Sequence, residues 1–213
     1  MFTHLYSHIL IRYSKSIIAV KVLITKNIIS ITTEQYYYKG VITINDGKVF
    51  ENSFKESVPN DIYYLRLKDP ASSFGAQENK TLRFSVSNPF DVLLFSNPNL
   101  FTLELKSTKG TAFSFKGKTP MIKKNQIEGL THAAEFENVV AGLIFNMREP
   151  TNRTYFLHIN NFNEFVESTT KSSINEKDIL SAGAMEIGCR LKKVKYLYYI
   201  REFIDEMKEA LVD

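Results

Sequence analysis

The nine residues Val139 to Met147, VVAGLIFNM, carry no charged side chain. Side chains alternate between the two faces of a strand, so an uninterrupted apolar run of this kind needs cover on both. A sheet open to water on one side is therefore excluded, and helices have to pack on each face of a central sheet. The rest of the chain supplies them. Asp46 caps a helix beginning at Gly47, with Phe50, Phe54 and Val58 as its buried stripe and Pro59 as its stop. Thr119 and Pro120 open a second, with Ile127, Leu130 and Ala134 on one face. Asn161 with Glu164 starts a short helix through Val166, and another runs from Glu176 to Gly183. Ile200, Phe203, Ile204, Met207 and Leu211 mark a final amphipathic helix. Strands are expected over Asp61 to Lys68, Thr81 to Val86 and Arg153 to Ile159, with a loop over Ala71 to Lys80. The fold class expected is α/β, a mixed central sheet flanked by helices, over residues 40–213. Residues 1–39, rich in Ile, Tyr and Lys, form an N-terminal extension without an assignable role: an added hairpin, an arm, or a stretch of unfixed register.

The stretch Asn88 to Lys109 carries the chemistry. Two apolar runs, Phe90 to Phe95 and Leu100 to Leu105, flank the turn signal Ser96-Asn97-Pro98-Asn99 and read as paired strands. Asp91, Glu104 and Lys106 sit within them, with Glu104 and Lys106 on one face and Phe101, Leu103 and Leu105 on the other. Carboxylates in a sheet are costly unless paired or bound to a metal. Asp and Glu oxygens suit Mg²⁺, and a lysine beside the ion can hold a water against a phosphodiester. Asp91, twelve intervening residues and Glu104-Leu105-Lys106 follow the logic of the PD-(D/E)xK nucleases. A surface hairpin with a salt bridge has the same spacing. Glu51 flanks the first helix's stripe, either as a surface partner of Lys55 or as a third carboxylate for the metal. Gln126 lies beside the stripe of the second helix, where most glutamines are merely solvated.

Charge is distributed unevenly. The net charge is +4, yet Lys106, Lys109, Lys116, Lys118, Lys123 and Lys124 fall in one stretch without an acid, and Arg190, Lys192, Lys193 and Lys195 in another. Each run alone is a solvated face; the two together suit a polyanion such as nucleic acid. The single Cys189 makes no intrachain disulfide, which fits a reducing compartment, and a cytoplasmic protein is expected. Lys15, Lys21 and Lys26 break the apolar segment Ile9 to Ile31 into pieces too short to span a bilayer, so no membrane partner is expected. Gly117-Lys118-Thr119 is no phosphate-binding loop, because the preceding glycine, Gly110, stands six residues off instead of four; no nucleotide cofactor is expected.

With these elements placed, the chain from about Gly40 to Asp213 resembles the RecU-type Holliday junction resolvases and related phage proteins, a family of PD-(D/E)xK nucleases. The correspondence runs in order through Gly47 to Glu51, Asn88 to Asp91, Phe101 to Thr108, Asn125 to Ile127, Gly142 to Phe145 and Lys171 to Ile174. Asn125 stands where the family usually has His, and the segment between Lys68 and Thr81 is shorter than the stalk many members insert into the junction. The resemblance implies a restriction-endonuclease-like fold and a homodimeric, Mg²⁺-dependent endonuclease, with Mn²⁺ as substitute, acting on four-way or otherwise branched DNA. It implies Asp91, Glu104, the Leu105 carbonyl and Glu51 as metal ligands. It further implies Lys106 as the group that orients water, and Gln126 as the group that orients the phosphate or Lys106. Lys109, Lys116, Lys118, Lys123 and Lys124 would then contact DNA phosphates, together with Arg190 to Lys195. A non-catalytic binder of branched DNA and a same-fold nuclease for ordinary duplex are the alternatives.

Overall fold

The computed structural model describes residues 6–13, 16–25, 28–37 and 46 by their backbone, and residues 47–67 and 88–211 with their side chains. The chain divides into two compact units, Met1–Thr43 and Ile44–Asp213. In the first, β1 (Tyr6–Tyr13), β2 (Ser16–Thr25) and β3 (Ile28–Tyr37) form an antiparallel meander. The expected strand over Thr81 to Val86 and the loop over Ala71 to Lys80 lie outside the described residues.

The second unit contains α1 (Asp46–Ser57), β4 (Tyr63–Arg66), β5 (Val92–Ser96), β6 (Asn99–Thr108), β7 (Ala112–Ser114) and α2 (Lys124–Ala133). It continues with β8 (Val139–Met147), β9 (Arg153–His158), α3 (Ile159–Ser168), β10 (Ser173–Asn175) and α4 (Glu176–Ser181). Last come β11 (Met185–Glu186), β12 (Cys189–Lys192), β13 (Lys195–Tyr198) and α5 (Ile200–Glu209). Among the described residues six strands form the central sheet, in the order β11-β9-β8-β6-β5-β4. Only β6 and β8 run parallel within it; the other pairs are antiparallel. This is the mixed α/β sheet flanked by helices that the apolar run demands.

That run, now β8, divides its residues between two cores. Val140 and Ile144 join Phe50 and Phe54 of α1, Phe101 and Leu103 of β6, and Phe203 and Ile204 of α5. Ala141, Leu143, Phe145 and Met147 join Leu130 of α2, Phe162 of α3 and Ile179 of α4. Gly142 falls on the first face, where an added Cβ would meet the Leu157 carbonyl and the Phe156 ring at 2.5 Å, so no larger residue fits against β9.

Two helix starts differ from expectation. α2 begins at Lys124, because Ser114 of β7 ties down the preceding residues: Ile122 N–H donates to its carbonyl at 2.9 Å and Met121 N–H to its hydroxyl at 3.0 Å. Thr119 and Pro120 therefore belong to the loop. α3 begins at Ile159, with His158 Nδ1 accepting from Asn160 N–H at 3.2 Å. Asn161 is instead inside the helix, donating from Nδ2 to the Ala182 carbonyl at 3.0 Å.

Candidate active site

The β5 ladder stops one residue short of Asp91, while β6 runs on to Thr108 paired with β8 on its other side. The register pairs Val92 with Leu103, and the Asp91 N–H donates to the Leu103 carbonyl at 3.1 Å. One step further along β6 the ladder passes from backbone to side chain: Leu105 N–H donates to Asp91 Oδ2 at 3.0 Å. The N–H and carbonyl of a residue share one side of an extended strand, so the Leu105 carbonyl faces the same gap beyond the end of β5. An aspartate here both terminates the pairing and is aimed by it.

Glu104 lies on the α2 face of β6. This face is as closed as the other, for Thr102 and Glu104 are each only 2% exposed. Gln126, in the first turn of α2, donates from Nε2 to Glu104 Oε1 at 2.6 Å. Lys106 Nζ approaches the same oxygen at 2.8 Å and donates to Gln126 Oε1 at 3.1 Å. The three side chains close a ring. Gln126 Oε1 also accepts the Lys123 N–H at 2.9 Å, capping α2. Burial first, and then the neighbouring Asp91 charge, push the Glu104 carboxyl up to about 8; Lys106 offsets this only in part. Glu104 Oε2 is buried and receives no N–H, and a hydrogen bond between the protonated carboxyl and Asp91 adds to the upward shift. The buried Glu104 and the half-buried Asp91 place hard carboxylate oxygens side by side, donors of the kind that could hold Mg²⁺.

Two contacts set α2 against this gap. An added Cβ on Gly129 would lie 2.3 Å from Pro89 Cβ, so the helix rests directly on the residue two before Asp91. Asn125 Nδ2 donates to the Asn88 carbonyl at 3.3 Å.

Glu51 is placed differently from Glu104. It projects from α1 on the other face of the sheet, where Arg66 Nη1 of β4 stands 2.7 Å from its Oε2. Arg66 Nη2 is 4.0 Å from Asp91 Oδ1, so the guanidinium bridges the two acids. Among the described residues no three of His, Cys, Asp and Glu gather into a ready metal-binding group. The structure thus brings Asp91, Glu104, Lys106 and Gln126 together and joins Glu51 to them through Arg66. Arg66 and Gly129 are the participants that motif reading passes over, and Asn125, which the motif marks only as a departure from His, tethers α2 to Asn88.

Lys109, Lys116, Lys118, Lys123 and Lys124 are all exposed. Lys124 pairs with Glu128 at 3.3 Å, and Lys116 Nζ sits 5.3 Å from the centre of the Phe115 ring. Arg190, Lys192 and Lys193 are exposed on the β12–β13 hairpin, whose Lys195 pairs with Glu56 of α1 at 2.7 Å. No helix among the described residues is long and apolar enough to cross a membrane.

Comparison with known proteins gives two findings. The chain is similar to the SPbeta prophage-derived uncharacterized protein YotM of Bacillus subtilis (strain 168), at 35% identity over 76% of this chain and 87% of that protein. In shape it is matched by a structure of Archaeoglobus fulgidus Hjc, a Holliday junction resolvase from an archaeal hyperthermophile. That match has a TM-score of 0.39 and 17% identity, and covers 65% of this chain and 93% of the other. No family model matches the chain.

Proposed function

The chain belongs to the family of the SPbeta prophage protein YotM, and from that premise we propose that it is a divalent-metal-dependent endonuclease that hydrolyses DNA phosphodiesters, with Holliday junctions and other branched DNA as substrates. One observation carries the reading: the orphaned Glu104 Oε2, beside Asp91 and within one residue pair of a lysine held in place. The RecU-type resemblance of the same residues supports the substrate class.

In this reading Asp91 and Glu104 hold the ion, with Glu51 and the Leu105 carbonyl as further oxygen donors. Mg²⁺, or Mn²⁺ in its place, supplies polarisation of the phosphoryl oxygen and a more acidic bound water. Lys106 has three N–H groups, of which one faces Glu104 and one Gln126; the third orients the attacking water and steadies the charge that develops on phosphorus oxygens. Gln126 fixes Lys106 relative to Glu104, so that both meet the phosphate in one geometry. The exposed lysines bind the backbone without reading sequence, which makes binding strongly salt-dependent. Resolving a junction takes two symmetric cuts, and a two-fold homodimer supplies two such sites.

The test is a synthetic four-way junction incubated with Mg²⁺ and the wild type, Asp91→Asn or Lys106→Ala. Paired symmetric nicks with wild type, lost in both variants while the gel shift persists, support the enzyme. A shift without nicks under any divalent ion refutes it and favours the binding protein. Equal cutting of linear duplex refutes the preference for branches.

A further inference from the structure

We propose that Arg66 is a displaceable counter-cation: its guanidinium stands between Glu51 and Asp91 in the metal-free protein, and the divalent ion expels it as those carboxylates take the metal up. The inference rests on the metal-dependent reading above and adds to it the residue that sets how tightly the ion is held.

The geometry separates Arg66 from the lysine of the same site. Lys106 is 13% exposed and bracketed by two acceptors. Arg66 is 32% exposed and comes from β4, the outermost strand among the described residues, opposite Val92; its Nη1 is buried while the rest of the side chain is partly open to solvent. Its Nη1 lies 2.7 Å from Glu51 Oε2 yet makes no aligned hydrogen bond, and its Nη2 only reaches 4.0 Å from Asp91 Oδ1. The contact with the two acids is a matter of charge more than of directed bonding, and the Tyr64 hydroxyl is the guanidinium's further neighbour. A guanidinium does not deprotonate, so it relieves its repulsion with an incoming cation only by moving. Asp91 is prepared for that exchange: Oδ2 stays tied to the Leu105 N–H while Oδ1 changes partner.

The experiment measures Mn²⁺ binding to the full DNA-free chain by the electron paramagnetic resonance of free Mn²⁺, for wild type, Arg66→Gln, Arg66→Ala, Arg66→Lys and Asp91→Asn. Removing a competing unit charge a few ångströms from the ion tightens binding roughly tenfold in Arg66→Gln and Arg66→Ala, with Arg66→Lys close to wild type. Arg66→Gln keeps a polar group between the acids should Arg66→Ala fail to fold. A residue that merely braces the site gives unchanged or weaker binding on removal, and that result in a wild type that binds Mn²⁺ overturns this inference alone. Wild type and Asp91→Asn binding Mn²⁺ equally, or neither binding it, overturns the metal-dependent reading and the inference with it.

Discussion

Neighbouring residues of β6 feed two buried polar clusters of opposite kind. On the α2 face, Glu104 and Lys106 form a charged ring with Gln126 that leaves one carboxylate oxygen without a partner. On the α1 face, Ser107 Oγ donates to Asn146 Oδ1 at 2.8 Å, and Asn146 Nδ2 donates to Asn152 Oδ1 at 3.1 Å and Thr154 Oγ1 at 2.9 Å. Asn152 Nδ2 reaches the Tyr198 hydroxyl and the Cys189 sulfur, each at 3.4 Å, and burial holds the Tyr198 phenol up at about 12. This second cluster is neutral, and neither Asn146 nor Asn152 has an orphaned side-chain atom. It ties the β8–β9 turn and the β12–β13 hairpin to the sheet. The neutral cluster is satisfied within the fold, whereas the charged one leaves an oxygen open to a further partner.

Mutation tests that contrast directly. Glu104→Gln is expected to lower cleavage by about a thousandfold or more, equivalent to ~4 kcal/mol of barrier, without lowering the thermal stability of the metal-free protein; single-turnover cleavage beside calorimetry checks both. A stability loss in metal-free Glu104→Gln would return Glu104 to the structural class.

The next prediction concerns pH. The Glu104 carboxyl titrates at about 8 when folded, against 4.5 ordinarily. Its proton is bound more tightly in the native state, so its contribution is fully present below pH 4.5 and is lost as pH rises through about 8. Denaturation in EDTA at pH 5 and pH 8.5 should differ by roughly 3–5 kcal/mol from this group, with the difference missing from Glu104→Gln. Asp91 and Lys106 face the same carboxyl and are present in both proteins, so they do not mimic the effect.

Asn146→Ala is expected to cost about 2–3 kcal/mol, seen as a lower denaturation midpoint, because it leaves several buried donors and acceptors unpaired at once. Cleavage per folded molecule should be nearly unchanged; if it falls with stability intact, the two clusters are not separable. The smallest effect is that of Gly129→Ala. A helix interior normally gains about 1 kcal/mol from this change, but here the new Cβ meets Pro89, and a net loss of ~1–2 kcal/mol is expected instead. Cleavage should fall further than DNA affinity, since the helix shifts away from the aspartate that it supports.

These contrasts also show what sequence reading reaches. The central strand was legible because nine uncharged residues leave one arrangement, and the β5–β6 hairpin because Asn97-Pro98 punctuates two apolar runs. Glu104, Lys106 and Gln126, singled out by a motif and an in-order resemblance, lie within hydrogen-bond distance of one another, and Asp91 is placed by its bond from the Leu105 N–H. Arg66 was not legible: Asp61 to Lys68 reads simply as a strand, and only the packing of α1 reveals its partner. Locally Glu51 pairs with Lys55 one turn on; tertiary structure gives it Arg66 instead. Gly129 reads as a weak point in a helix until Pro89 is seen beneath it. The start of α2 was misplaced for the same reason, since Thr119-Pro120 has the right chemistry for a cap while Ser114 decides the matter from another strand.

Gln126 has its amide oxygen fully committed, to the Lys123 backbone and Lys106, and its nitrogen serves Glu104. Transplanting this centre into another scaffold would therefore require moving the opening turn of α2 as one block with β6, since a glutamine grafted alone would lack the peptide that orients it. Laboratory evolution of the chain should meet the same restriction, with that turn tolerating few substitutions even where no side chain touches DNA.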